Sequence, residues 1–126
     1  MPTKTYKPIA TNTLGSAAAT VTFSSIAGTY TDLVLICNIA QAAGSNSLRI
    51  RYNSDTGTNY SRTYLLGNGS TASSGRTSSD VSGYLSETTG STTLELAVVA
   101  HIMNYSNTTT YKTTLGRSNQ IGRAHV

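Results

Sequence analysis

Apolar and polar residues alternate with a period of two along much of the chain, the signature of half-buried β-strands. In "ATVTFSSI" (residues 19–26), Val21 and Phe23 share one face, with Thr20, Thr22 and Ser24 on the other. "TDLVLICNIA" (31–40) is apolar on both faces, which predicts a central strand. Leu33, Leu35, Cys37 and Ile39 share one side, with Val34 and Ile36 opposite. "LRIRYN" (48–53) turns Leu48, Ile50 and Tyr52 inward and Arg49 and Arg51 outward. "YSRTYLL" (60–66) reads as a strand, and "DVSGYLS" (80–86) as a weaker one. "TTLELAVVAHIMNY" (92–105) is the longest strand candidate, and "YKTTLGRSN" (111–119) begins an eighth.

Between these segments the residues are turn formers. "QAAGSNS" (41–47), "SDTGTN" (54–59), "ETTGS" (87–91) and "SNTTT" (106–110) read as turns, and "GNGSTASSG" (67–75) as a loop. Gly57 is the expected positive-φ position of its turn. The only alanine cluster, "LGSAAATV" (14–21), is too short for a helix to stand alone. Short strands at ~8–12-residue spacing with Gly, Asn and Ser turns predict an all-β fold, an antiparallel β-sandwich of jelly-roll type. No repeat or linker interrupts residues 1–120, which read as one domain.

Composition agrees. Of 126 residues, 17 are Ser and 22 are Thr, while charged residues make up 11%. Disordered chains are usually rich in charge and poor in β-branched and aromatic types. This chain is the reverse, so the hydroxyls are read as the coat of an ordered β domain. The formal charge is +4, but the basic residues are scattered and not interleaved with aromatics. Nothing tracks a phosphate backbone, and nucleic acid is not an expected partner. The lone Cys37 lies in an apolar run without a nearby His, and reads as a small buried hydrophobe. "MPTKTYKPIATNT" has no apolar signal core, and no segment approaches the ~18 apolar residues of a membrane span. A soluble protein made in the cytoplasm, without membrane insertion, is expected.

The last six residues, "IGRAHV" (121–126), leave the pattern. All six match the translation of a standard short-read sequencing adapter in one frame. On that reading they carry no biology, the charge without Arg123 is +3, and the natural chain continues with further strands. A sandwich truncated at its C-terminal strands would expose open edges and an uncovered apolar face, and so would be poorly soluble or dimerise.

With the strands placed, the chain resembles a family of small tailed-phage virion proteins. The likeness rests on "YKPIATNTLGSAAATVTFSSIAGTYTDLVLICNI" (6–39), on "RYNSDTGTNYS" (51–61), on Gly75-Arg76, and on "HIMNYSNTTTYKT" (101–113). Each block is weak alone, and they are specific as a set. The resemblance implies a virion structural component of tail, fibre or capsid decoration. It would be made in the host cytoplasm and would work by assembly with its own copies and other virion proteins. It implies no catalysis and no cofactor.

The residues themselves offer few sites. As a calcium loop, residues 53–59 supply one carboxylate, Asp55, beside Asn53, Thr56 and Asn59, whereas calcium takes ~6–8 oxygens. The expected role is an Asx-type turn, with Asp55 and Asn53 bonded to neighbouring backbone. Arg62 is expected to pair with a carboxylate or reach a neighbouring subunit. His101 is expected to be a hydrogen-bonded structural histidine. The acids Asp32, Asp55, Asp80, Glu87 and Glu95 fall in different segments, and no G-x-S-x-G elbow is present. The chain is therefore not expected to be an enzyme. The tyrosines beside polar turns allow an alternative, a host-glycan-binding module of a phage fibre. Its candidate glycan or subunit contacts are Asn59, Tyr60, Arg62 and Tyr64. The bland reading of the same tyrosines is strand packing.

Overall fold

A computed structural model describes residues 6–43, 46–87 and 92–120. Seven strands follow in order among these residues: β1 (Leu33–Ile39), β2 (Arg49–Ile50), β3 (Tyr60–Gly67), β4 (Ala72–Asp80), β5 (Gly83–Tyr84), β6 (Leu96–Met103) and β7 (Thr113–Gln120). They contain no helix, and every pairing is antiparallel, so the fold is all-β. The strands form a three-stranded sheet ordered β1-β6-β7, a β2-β5 pair and a β3-β4 ribbon.

β6 is the spine. Its burial alternates, with Leu96, Val98, Ala100 and Ile102 inward and Ala97, Val99, His101 and Met103 outward. The register sets Leu33, Leu35, Cys37 and Ile39 of β1 beside the inward residues of β6. Leu48, Ile50 and Leu85 come in from the β2-β5 pair to close this core. Hydrogen bonds extend the β2-β5 pair beyond its two ladder positions. Leu85 N–H donates to the Leu48 carbonyl at 2.8 Å, and Leu48 N–H donates to Ser86 Oγ at 3.0 Å. Each fully buried aliphatic side chain contributes about 1.5–3 kcal/mol. Only Leu85, Leu96, Val98, Ala100 and Ile102 are buried hydrophobics among the described residues, so this core is thin.

Several expectations are corrected. Segment 31–40 is not central: β1 is an edge strand, and its outward Ile36 is 74% exposed. Residues 19–26 form no strand, and no described segment supplies them with ladder partners. The predicted loop 67–75 shrinks to a turn at 68–71 held by Asn68 Oδ1, which accepts from the N–H groups of Ser70 and Thr71. From Ala72 the chain is already β4. The 92–105 candidate yields only β6, eight residues long, and the 48–53 candidate only β2. Positive φ falls not at Gly57 but at Asn53 and Ser54, which end the extended run after Arg51. The adapter-like residues 121–126, and the 87–91 turn apart from Glu87, lie outside the described residues.

Candidate functional site

The β3-β4 ribbon and the short β5 strand bring the cationic and aromatic side chains together. β3 alternates half-buried Tyr60, Arg62, Tyr64 and Leu66 with exposed Ser61, Thr63 and Leu65. A register shift between Tyr60 and Arg62 marks a bulge on β4, where Ser78 and Ser79 together oppose Ser61 and Ser79 takes a left-handed φ of 58°. Arg62 reaches over two rings, with its guanidinium carbon 3.4 Å from the centroid of Tyr84 and 5.4 Å from that of Tyr64. Arg49, paired with Tyr84 across β2-β5, lies 4.7 Å from the same Tyr84 centroid. Arg62 Nη1 is ion-paired and hydrogen-bonded to Glu87 Oε1, both side chains being largely buried. Arg62 Nε is buried without a partner. A planar guanidinium suits this place, because it stacks on rings while one edge bonds a carboxylate.

Tyr64 crosses the ribbon to Gly75. A Cβ at Gly75 would stand 2.7 Å from Tyr64 Oη and 2.8 Å from Cζ, so glycine makes room for the ring. Outside this aromatic group a shallow, open depression is lined by Ser61, Arg62, Thr63, Arg76, Thr77 and Ser78.

Asn59 and Tyr60 belong to a different arrangement. Asp55 Oδ1 accepts from Gly57 N–H at 2.8 Å, and the Asp55 carboxylate accepts from Asn59 Nδ2 at 3.0 and 3.2 Å. These bonds hold the Asp55 carboxyl below the ordinary range, Asn59 first and the Gly57 amide second. Tyr60 Oη donates to the Asp55 carbonyl and accepts from Tyr52 N–H, at 3.2 and 3.1 Å. Tyr52 Oη bonds in turn to Thr114 Oγ1 on β7. Burial raises the Tyr52 pKa, against the Thr114 bond.

Of the four sequence-predicted contact residues, Arg62 and Tyr64 thus meet over one aromatic group, while Asn59 and Tyr60 brace the 52–60 turn. The expected Asx turn is present, carried by Asp55; Asn53 contributes its backbone conformation instead. The carboxylate partner expected for Arg62 is Glu87, while sequence reasoning missed Tyr84 and Arg49 as its neighbours. The cross-strand placement of Tyr84 opposite Arg49 follows only once β2 and β5 are known to pair.

The remaining candidates sit apart. His101 lies on the outer sheet face, between Val34 and Leu115 in the cross-strand row. Its imidazole makes no hydrogen bond among the described residues, so the side chain is packed and not hydrogen-bonded as expected. Asp32 accepts from Asn104 N–H, Asp80 from Val81 N–H and Glu95 from Asn38 Nδ2. Among the described residues, no three His, Cys, Asp or Glu side chains group as metal ligands, and no helix is long and apolar enough to cross a membrane. Cys37 is half-buried against the core, and burial raises its pKa. No protein-family model, curated protein or solved structure matches the chain.

Proposed function

We propose that the chain is a structural component of a bacteriophage virion that works by subunit assembly. It is a two-layer β-sandwich of jelly-roll type whose outer surfaces meet its own copies and other virion proteins. The observation that carries this is the outer face of the three-stranded sheet. Val34, Ile36, Val99, Met103 and Leu115 lie on it together with His101. Ile36, Met103 and Leu115 are 74%, 40% and 59% exposed. Contiguous exposed apolar surface rimmed by polar side chains is the mark of an interaction site. Here the rim is Asn38, Thr113, Arg117 and Asn119. The phage-like blocks of the sequence support the same reading.

Sedimentation velocity with negative-stain imaging of the full chain tests it. Discrete oligomers are expected, and Ile36→Asp with Leu115→Asp is expected to disperse them. A wild-type chain that remains monomeric throughout the micromolar range sinks the proposal.

A second reading, a fibre module that binds host glycans, has one observation in its favour. The depression beside Arg62 and Arg76 is lined with hydroxyls, the donor and acceptor mix that sugars use. On a glycan array, saturable binding abolished by Tyr64→Ala or Arg76→Ala supports it. An array without signal removes it.

A further inference from the structure

Residues 8–31 contain no Asp, Glu, Lys or Arg. Yet almost every residue from 6 to 25 is exposed, including Tyr6, Ile9, Leu14, Val21 and Phe23. A neutral, partly apolar segment is an unusual solvent-facing tail, since such segments are normally charged. Its best-patterned stretch, residues 19–24, has the hydroxyl and apolar alternation of a strand, but it makes no hydrogen bond among the described residues. Exposed strand-forming backbone without ladder partners is bonded only by water, and is free to pair with an open edge.

The three-stranded sheet offers such an edge. β7 pairs with β6 on one side, and no described strand lies on the other. Residues Leu115–Asn119 are exposed one after another, on both faces. The usual guards of a free edge are lacking. β7 has no proline, its register with β6 runs without a bulge, and Arg117 is its one charged residue. The β1 edge is the poorer receptor, because its residues are half-buried at every inward position. The root of the N-terminal segment is fixed at one end of the same sheet. Tyr105 Oη donates to the Ile26 carbonyl at 3.0 Å, and Tyr105 N–H donates to the Thr31 carbonyl at 2.7 Å. From that anchor, Ser25 takes a left-handed conformation with φ 57°, and the segment leaves its own β7 open.

Resting on the assembly reading above, and on a β7 edge that no strand following residue 120 covers, we infer that residues 19–24 of one copy add as an extra strand to the β7 edge of a second copy. Backbone hydrogen bonds give the pairing, and Val21 and Phe23 extend the apolar surface beside Leu115. This is strand addition, in which main-chain bonds supply affinity and alternate side chains supply register. Because donor and receptor lie on different surfaces of one chain, the contact is head-to-tail. It closes into rings or runs on as filaments, according to its rotation.

The test compares the full chain with Val21→Asp/Phe23→Asp and with Thr22→Pro, which removes an N–H from the middle of the added strand. Neither variant touches the buried core, so both are expected to fold. Sedimentation equilibrium should show association in the wild type, weakened at least about tenfold in each variant. Amide exchange at Leu115–Asn119 should slow with protein concentration in the wild type alone. Association that both variants retain overturns this inference and leaves the assembly reading standing. A monomeric wild type overturns both. Protection of β7 that is independent of concentration means that the segment closes on its own sheet. Protection on β1 places the receptor edge elsewhere. Either result also overturns the assignment.

Discussion

Asp55 shows how much a single side chain decides in a polar protein. Its carboxylate closes the turn by accepting from Gly57 and Asn59, and the turn in turn positions Tyr60 under Tyr52. The sign of the pH effect follows from the direction of its shift. Hydrogen bonds to the charged form lower the folded-state pKa below the ordinary aspartate value of about 3.9. The contribution is therefore complete above the ordinary value, and is lost as pH falls through the lower folded one. Titration followed at the Gly57 amide should show the bond opening at a pH below that of an unperturbed carboxylate. Asp55→Ala should abolish the transition, whereas Asp55→Asn should keep the turn and lose its pH dependence. A Gly57 amide that titrates at the ordinary value would mean that the turn does not depend on the charge. This part of the site was legible from the sequence, because an Asx turn is built from residues two apart. For Arg62 a carboxylate partner was legible but not which one, since 25 residues separate it from Glu87 and only the approach of β3 to β5 joins them.

At the scale of elements, strand-forming runs bounded by turn residues located β1, β3, β6 and β7, and the reading failed where pattern and pairing part company. Residues 19–26 carry the pattern without a neighbour to bond. β4, "ASSGRTSSD", has the neighbour without the pattern, because small hydroxyl residues occupy both of its faces. What holds β4 is β3, and in particular Tyr64 lying across Gly75. An alanine in place of a strand glycine ordinarily gains stability by restricting the unfolded chain. Here the added methyl would meet the stiff phenol ring, so Gly75→Ala should cost about 1 kcal/mol. The same substitution in a Tyr64→Ala background should be neutral or stabilising. A double-mutant cycle by urea denaturation reads that coupling directly. Additive effects of the two changes would show that the ring does not press on this backbone.

For the molecule as a whole, the two faces of β6 have opposite duties, and stability should divide between them. The inner face holds nearly all of the buried apolar surface. Leu96, at 2% exposure, packs with Leu85, Val98 and Ala100. Truncating a buried leucine to alanine costs about 2–5 kcal/mol, and small domains hold only about 5–15 in total. Leu96→Ala should therefore leave the chain largely unfolded near physiological temperature. The outer face is different, because Ile36 leaves three-quarters of its surface in water, so burial contributes little there. Ile36→Thr should shift the isolated chain by no more than about 0.5 kcal/mol, in either direction. Urea melts of dilute, monomeric samples make the comparison, and the same variants at assembling concentrations complete it. The Ile36 change should then become costly in proportion to how much of the sheet face is covered by a second subunit. If Ile36→Thr were as damaging as Leu96→Ala in dilute solution, the outer face would be interior to a single chain, and an assembly role for it would have to be abandoned.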